Sequence, residues 1–333
     1  MNFRAGGGPG DSAGRVAVMA AVALTILGWG FAFIPLKWLT NSAYTDHPLS
    51  PGTFLLLRFV PLLPFILLYA ARRWRCETPP MRARLRGDWP AIAAMGLLVI
   101  PGYHFPLNFA LQTPLHTGLT SLILNLSPAL TYFLAVAIGQ ERALRARTAG
   151  VLTAFGGVMA IFGEEMVREW RGGAPIHFSW EGVGLMLLST FAWTLYTLIA
   201  RRLAPRHDSR FVFMTSQAIG TLVLLASAPL LAGSRFFTEC ARLDALDWAA
   251  WAYVSIFSSF IAYWVWVAAL ARFEASRLAS TGNLVPLLVH GAAALFLEGE
   301  RTALTPFYLA CAAATLIGTA LVLRRPRAAS GVS

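Results

Sequence analysis

The sequence is poor in charged residues. Of its 333 residues only 13% are charged, whereas about 25% of the residues in a soluble domain carry a charge. Hydrophobic residues make up 57% of the chain, and the mean hydropathy is +0.60. This balance excludes an ordinary soluble domain and indicates an integral membrane protein.

Lysine and cysteine are scarce as well. Lys37 is the only lysine among the 27 basic residues, and it lies in an apolar stretch. The sequence therefore has no GxxxxGK loop of the kind an ATP-driven pump needs. The three cysteines indicate neither a disulfide framework nor a metal cluster, because the topology predicted below puts Cys76 and Cys240 on opposite membrane faces and Cys311 in a span. We expect no cofactor, no bound metal and no enzymatic activity.

Ten apolar stretches are long enough to cross a bilayer core, which takes about 20 residues per helix. In chain order these predicted spans, called spans one to ten, cover 17–38, 53–71, 89–111, 116–138, 148–163, 182–200, 211–232, 248–270, 276–297 and 304–323. The first is too long for a signal-peptide core, so we interpret it as an uncleaved span. The prediction is an all-α integral membrane protein with ten transmembrane helices.

The basic residues predict the orientation of these spans. With the N-terminus inside, 20 basic residues lie in cytoplasmic segments and six lie outside, while Arg58 lies within span two. Cytoplasmic loops are enriched in basic residues, so both termini are predicted to be cytoplasmic. The arginine-rich composition favours a bacterial chain in the inner membrane. The same distribution accounts for the net charge of +11 without a nucleic-acid partner.

Two halves of the chain resemble each other. The sequence LNLSP, ending at Pro128, recurs as GNLVP, ending at Pro286, and GQER after span four recurs as EGER after span nine. Trp29 in span one has a counterpart in Trp193 of span six. Because five spans per copy is an odd number, the second copy is inverted, as in many secondary transporters. The predicted regions are a disordered cytoplasmic N-terminus (1–16), a first five-helix repeat (17–163), an extracytoplasmic linker (164–181), a second five-helix repeat (182–324) and a cytoplasmic tail (325–333).

The repeated Asn-Leu-x-Pro places a polar residue and a helix breaker inside two spans. Pro128 and Pro286 each remove a helical hydrogen bond, and the freed carbonyl groups need other partners. Asn125 and Asn283 either satisfy that backbone or bind a solute. Helical spacing puts Tyr132 on the face of Asn125, and His290 on the face of Asn283.

These residues resemble the EamA-type branch of the drug/metabolite transporter superfamily. The resemblance is carried by WGFAFIPLK from Trp29 to Lys37, Ala110-Leu111, Pro128 and GQER, and in the second copy by Trp193, Ala269-Leu270, Pro286 and EGER. It extends over about 17–324. It implies ten helices in a 5+5 inverted repeat and transport of small metabolites or drugs, often as efflux. This sequence departs from the pattern by one extra residue between Pro286 and EGER and by a proline-rich span three.

Polar residues inside the spans are the candidate solute ligands. All sixteen acidic residues lie in predicted loops or at span ends, which argues against coupling through a central carboxylate and favours uniport or exchange. Arg58 either binds a substrate carboxylate or phosphate or extends to the lipid headgroups. His104 lies between two prolines with Asn108 four residues later. It either carries a proton or is a hydrogen-bonded packing residue.

Aromatic residues complete the predicted site. Tyr196 shares a face of span six with Trp193, and we expect both to contact solute together with Trp29, Asn125 and Asn283; Arg58 and His104 would shape the outer mouth. The expected partners are a small-molecule substrate and the lipid bilayer, and the sequence allows a homodimer. The predicted function is alternating-access transport of an amino acid, a related metabolite or a drug-like amphiphile by an exporter, uniporter or exchanger. A membrane-embedded enzyme or sensor is the alternative.

Overall fold

The computed structural model describes residues 12–40, 45–76, 79–113, 123–172, 179–289 and 305–324. Within these ranges every regular element is helical. Eight helical segments are long and apolar enough to cross a membrane: Gly14–Thr40, Pro51–Cys76, Arg86–Ala110, Arg145–Arg168, Trp180–Leu203, Ser209–Ala226, Ala245–Leu270 and Pro306–Leu323. The protein is therefore an all-α, multi-pass membrane protein.

These eight segments coincide with spans one, two, three, five, six, seven, eight and ten. Spans four and nine are described in part. Span four is represented by the helix Ser127–Ala137, and span nine by Ala275–Thr281 and a helical stretch at 284–289. Residues 116–122 of span four and 290–297 of span nine lie outside the described residues, as does His290.

The helix boundaries differ from the predicted ones where polar residues extend an apolar span. Span one begins at Ser12, inside the segment predicted to be disordered, and comprises Ser12–Phe31 and Phe33–Thr40. Span five is Arg145–Arg171, so its last turns lie in the predicted linker. The remaining bounds are Pro51–Phe59, Val60–Leu62 and Leu63–Cys76 in span two, Trp180–Leu203 for span six, Ser209–Ala226 and Ala228–Leu231 in span seven, a short helix Arg235–Cys240, and Pro306–Leu323 for span ten.

Spans three and eight each contain a π-helical segment between two α-helical ones. Span three comprises Pro79–Leu97, the π-helical Leu98–His104 and Phe105–Ala110. Span eight comprises Ala245–Ala252, the π-helical Tyr253–Ile261 and Ala262–Leu270. The prolines of span three therefore do not interrupt the helix, because a wider helical turn accommodates them. π-Helical turns of this kind are frequent at functional sites.

The helix is interrupted at both predicted asparagines. Asn125 lies in a turn before the helix that contains Pro128, and Asn283 lies in a turn before the stretch that contains Pro286. A proline near the start of a helix costs nothing there, because the first backbone N–H groups of a helix have no internal partner. The two Asn-Leu-x-Pro sequences thus mark restarts of a helix.

The helix packing brings spans one, three, six and eight together. Span six packs against spans three and four, and span one packs against span eight. Spans five and ten form a separate close pair. Their approach is so close that a Cβ atom added at Gly318 would lie 2.3 Å from the backbone nitrogen of Ala154. Small residues allow such approach between membrane helices. Span one also approaches span nine closely, since a Cβ atom at Gly30 would lie 2.4 Å from the Cβ of Leu288.

Candidate functional site

Six aromatic side chains meet where spans one, three, six and eight converge. This group, called here the aromatic cluster, consists of Trp29, Tyr103, Trp193, Tyr196, Tyr263 and Trp266. Trp193 is its centre: its ring centroid lies 5.2 Å from that of Tyr103, 5.3 Å from that of Tyr263 and 5.4 Å from that of Tyr196. These separations are typical of favourable edge-to-face and offset aromatic pairs.

Trp29 joins span one to the rest of the cluster. Its indole lies 5.3 Å from Trp266, 5.6 Å from Tyr263 and 5.9 Å from Trp193, measured between ring centroids. Its Nε1 donates a hydrogen bond of 2.9 Å to the carbonyl of Ser258, in the π-helical segment of span eight. Trp29 and Trp193 are partly exposed, while Tyr196 and Trp266 are fully buried. The two indoles and the partly exposed Tyr103 are therefore the accessible residues of the cluster.

A polar edge adjoins the cluster on spans two, three and eight. The hydroxyl of Tyr263 and Nε2 of His104 are 2.9 Å apart, and both residues are buried. Arg58 Nε donates to Ser259 Oγ at 2.6 Å. The Ser259 hydroxyl in turn donates to the carbonyl of Val254 at 2.7 Å, a contact over five residues that the π-helical turn creates.

Several buried polar atoms in and beside the cluster have no hydrogen-bond partner in the described part of the chain. They are Nδ1 of His104, the hydroxyl of Tyr196, Oγ of Ser255 and Nε1 of Trp266. Buried polar groups in proteins are normally paired. These unpaired groups of spans three, six and eight give this region the capacity to bind a polar solute.

The structure brings six of the ten predicted site residues together. Trp29, Trp193 and Tyr196 belong to the cluster, and Arg58 and His104 form its polar edge. Asn108 supports that edge: its Nδ2 donates to the carbonyl of His104 at 2.7 Å.

The other predicted residues lie elsewhere. Tyr132 is buried where span four meets spans five and ten, with its hydroxyl 2.6 Å from that of Thr148. Asn125 is partly exposed in its turn, Asn283 is buried, and His290 is outside the described residues. Tyr103 was missed by the sequence analysis, although its position beside His104 in the proline-bracketed segment was a usable signal.

A buried ionic network was also missed. The carboxylate of Glu141 accepts hydrogen bonds from Arg147 Nη1 at 3.0 Å, from the backbone N–H of Ser276 at 2.9 Å and from the Ser276 hydroxyl. Arg147 Nη2 contacts Glu274 Oε2 at 2.8 Å, and Glu274 also pairs with Arg277 at 2.9 Å. The network joins the segment between spans four and five to the start of span nine. Glu141 belongs to the GQER sequence, which had indicated the internal repeat but not a buried ion pair.

Comparisons with known proteins place the chain in a family. A model of the EamA-like transporter family matches residues 180–324. An uncharacterized transporter of Archaeoglobus fulgidus is 26% identical over 311 residues, covering 91% of this chain and 98% of that protein. A Salmonella typhimurium protein named "probable amino-acid metabolite efflux pump" is 25% identical over 299 residues, covering 89% and 91%.

Two further similarities extend over most of the chain. An uncharacterized protein of Pseudomonas aeruginosa is 31% identical over 303 residues, covering 90% of this chain and 93% of its own. One solved crystal structure of a protein superposes with a TM-score of 0.65 at 19% identity and covers 92% of this chain and 96% of the other, which shows a shared fold. The chain therefore belongs to the EamA-like transporter family, within the drug/metabolite transporter superfamily, and is a membrane transporter.

Proposed function

We propose that this protein moves a small organic solute across the bacterial inner membrane by alternating access, as an exporter, uniporter or exchanger. The solute class is an amino acid, a related metabolite or a drug-like amphiphile. The aromatic cluster is the observation that carries the proposal, because residues from both halves of the chain build it. Stacked and edge-on rings bind apolar groups, and their faces also attract cations such as an amino group.

The proposed architecture is ten transmembrane helices in a 5+5 inverted repeat, with both termini in the cytoplasm. It is supported by the eight described apolar segments and by the helix restarts at Asn125 and Asn283. It is also supported by the contact between Trp29 and Trp193, which occupy corresponding places in the two copies. In inverted-repeat transporters the substrate binds at the repeat interface near the middle of the membrane.

The helix packing suggests how the site opens to one membrane face and then to the other. Span six, with spans three and four, contributes Trp193, Tyr196 and Tyr103, while spans one and eight contribute Trp29 and the two other rings. These two sets of helices meet at the cluster. If one set rocked against the other, the solute between them would be exposed to one membrane face at a time.

Export of amino-acid-like compounds is favoured by two relatives. The Salmonella typhimurium protein described above and a 23% identical Escherichia coli protein are both named "probable amino-acid metabolite efflux pump". The second relative covers 84% of this chain and 87% of its own length. None of the residues of the aromatic cluster or its polar edge is acidic. The proposal therefore does not include proton or ion coupling through a carboxylate at this site.

Counterflow in proteoliposomes tests this function. Vesicles preloaded with unlabelled amino acids are supplied with trace labelled solute, first without and then with a pH gradient. We expect counterflow without a gradient, and we expect Trp29→Leu or Trp193→Leu to reduce it by about tenfold. The matched control is Trp180→Leu, because Trp180 is 80% exposed at the start of span six.

The outcomes separate the alternatives. Equal loss in all three tryptophan variants would show that the cluster is not the binding site. Flux that requires the gradient would identify a proton-coupled exporter and direct attention to His104. Absence of flux for amino acids and amphiphilic drugs alike would refute the transport proposal and favour a sensor.

A further inference from the structure

Arg58 is a charged side chain buried inside a membrane-spanning helix. It is 6% exposed, and every residue from Gly52 to Phe59 around it is buried. The guanidinium therefore does not extend to the lipid headgroups, which was one of the two interpretations of the sequence. A buried charge is costly unless an opposite charge or several hydrogen bonds compensate it.

The described residues compensate this charge in part. Arg58 Nε donates to Ser259 Oγ at 2.6 Å, and the guanidinium carbon lies 5.7 Å from the ring centroid of Phe54 and 5.4 Å from that of Phe59. A guanidinium has five N–H donors, and the four on the Nη atoms have no acceptor among the described residues. No Asp or Glu of the described ranges forms an ion pair with it.

The position of Arg58 connects it to the aromatic cluster. Ser259, the hydrogen-bond partner of Arg58, lies four residues before Tyr263, whose hydroxyl is 2.9 Å from His104 Nε2. Phe59, the next residue in the chain, lies 4.9 Å from His104 between ring centroids. An anion bound to the Nη atoms would thus lie beside rings that can hold an apolar group.

We propose that Arg58 binds a carboxylate of the transported solute, which narrows the substrate class to monocarboxylic organic acids and zwitterions with an apolar or aromatic portion. This inference rests on the proposed transport function. Two parallel Nη–H groups match the two oxygens of a carboxylate. A single guanidinium neutralises a monoanion, whereas a phosphate dianion would leave an unpaired negative charge. Ser259 is a positioning residue, because its hydroxyl fixes the orientation of the guanidinium.

The experiment compares acids with their uncharged-carbonyl analogues in the full-length protein. Four pairs are used: phenylalanine and phenylalaninamide, tryptophan and tryptophanamide, leucine and leucinamide, and 3-phenylpropionate and 3-phenylpropionamide. Binding is measured by isothermal titration calorimetry of the detergent-solubilised protein, and transport by counterflow in proteoliposomes. Within at least one pair we expect the acid to bind about tenfold or more tightly than the amide.

Four variants test whether the guanidinium of Arg58 causes the preference for the acid over the amide. Arg58→Gln should remove the preference, and Arg58→Lys should keep part of it because the charge remains without the fork. Ser259→Ala should weaken it less than Arg58→Gln does, and it serves as the test if the Arg58 variants do not fold. Arg235→Gln is the matched control, since Arg235 is exposed outside the spans.

Each outcome has a distinct meaning. Counterflow with equal affinity for acids and amides, or an unchanged preference in folded Arg58→Gln and Ser259→Ala, overturns the role of Arg58 and leaves the transport function intact. Preferential binding of acids without counterflow supports a carboxylate site at Arg58 and refutes transport of these acids. Neither binding nor counterflow for any of the eight compounds overturns the role of Arg58 and removes amino acids from the proposed solute class.

Discussion

Replacing Glu141 by Gln should destabilise the protein by about 3 kcal/mol. The side chains of Glu141 and Arg147 are 3% and 4% exposed, so their interaction is not screened by water. Hydrogen bonds to a charged group contribute about 1.5–3 kcal/mol each, and neutral ones about 1 kcal/mol. The glutamine oxygen can keep one bond, but its NH₂ group would face the donors of Arg147 or Ser276. Arg147 would retain Glu274, which limits the loss.

The assay is the midpoint of thermal unfolding in detergent micelles. Glu164→Gln is the matched control, because Glu164 pairs with Arg168 at 3.5 Å while the two side chains are 29% and 47% exposed, and solvent-exposed pairs contribute about 0–1 kcal/mol. The double variant Glu141→Gln with Arg147→Gln should lose less stability than the two single variants lose in sum. In the double variant both charges of the pair are removed, so neither residue leaves its partner's charge unpaired. If Glu141→Gln lowered the midpoint no more than Glu164→Gln, the energetic role given to the buried network would be refuted.

Two further predictions concern helix packing and the polar edge. Gly318→Val should sharply reduce the yield of folded protein, because its Cβ would lie 2.3 Å from the backbone nitrogen of Ala154. The control Gly184→Val should fold normally, because a Cβ at Gly184 meets nothing within 4 Å. Equal yields of the two variants would contradict the close packing of spans five and ten. Asn108→Ala should cost about 1–3 kcal/mol of stability and reduce counterflow, since the buried carbonyl of His104 loses its donor. Unfolding midpoints and initial counterflow rates check this, and a variant with unchanged values in both would argue against it.

Much of the aromatic cluster could be predicted from the sequence because the signals were local or repeated. Trp29 and Trp193 were paired by the repeat, and Tyr196 followed from helical spacing along span six. Their mutual contact required only that corresponding helices meet, which an inverted repeat favours.

The predicted relation between Tyr132 and Asn125 depends on the helix that joins them. Placing Tyr132 on the face of Asn125 assumed an unbroken α-helix, in which residues seven apart lie on the same side. The structure has a turn at 125–126 before the helix Ser127–Ala137, and the hydroxyl of Tyr132 contacts Thr148 outside the aromatic cluster. A proline predicts an interruption but not the rotation across it.

The long-range polar contacts could not be predicted. Arg58 and Ser259 are 201 residues apart, and the acceptor is oriented by a π-helical turn that no periodicity announces. Glu141 and Ser276 are 135 residues apart, and each is unremarkable in its own segment. Only the assembled fold shows that these acid, base and hydroxyl groups are buried together.

The site combines nearly symmetric rings with one asymmetric charge. Span seven, the proposed repeat counterpart of span two, contains no basic residue between 211 and 232, so Arg58 has no equivalent in the second half. Trp29 and Trp193, in contrast, come from corresponding spans and face each other at 5.9 Å between ring centroids. A solute bound by both features would have one orientation, with its anionic group toward span two and its apolar group against the tryptophans. The repeat would then provide access from two sides, while the single arginine would select the solute.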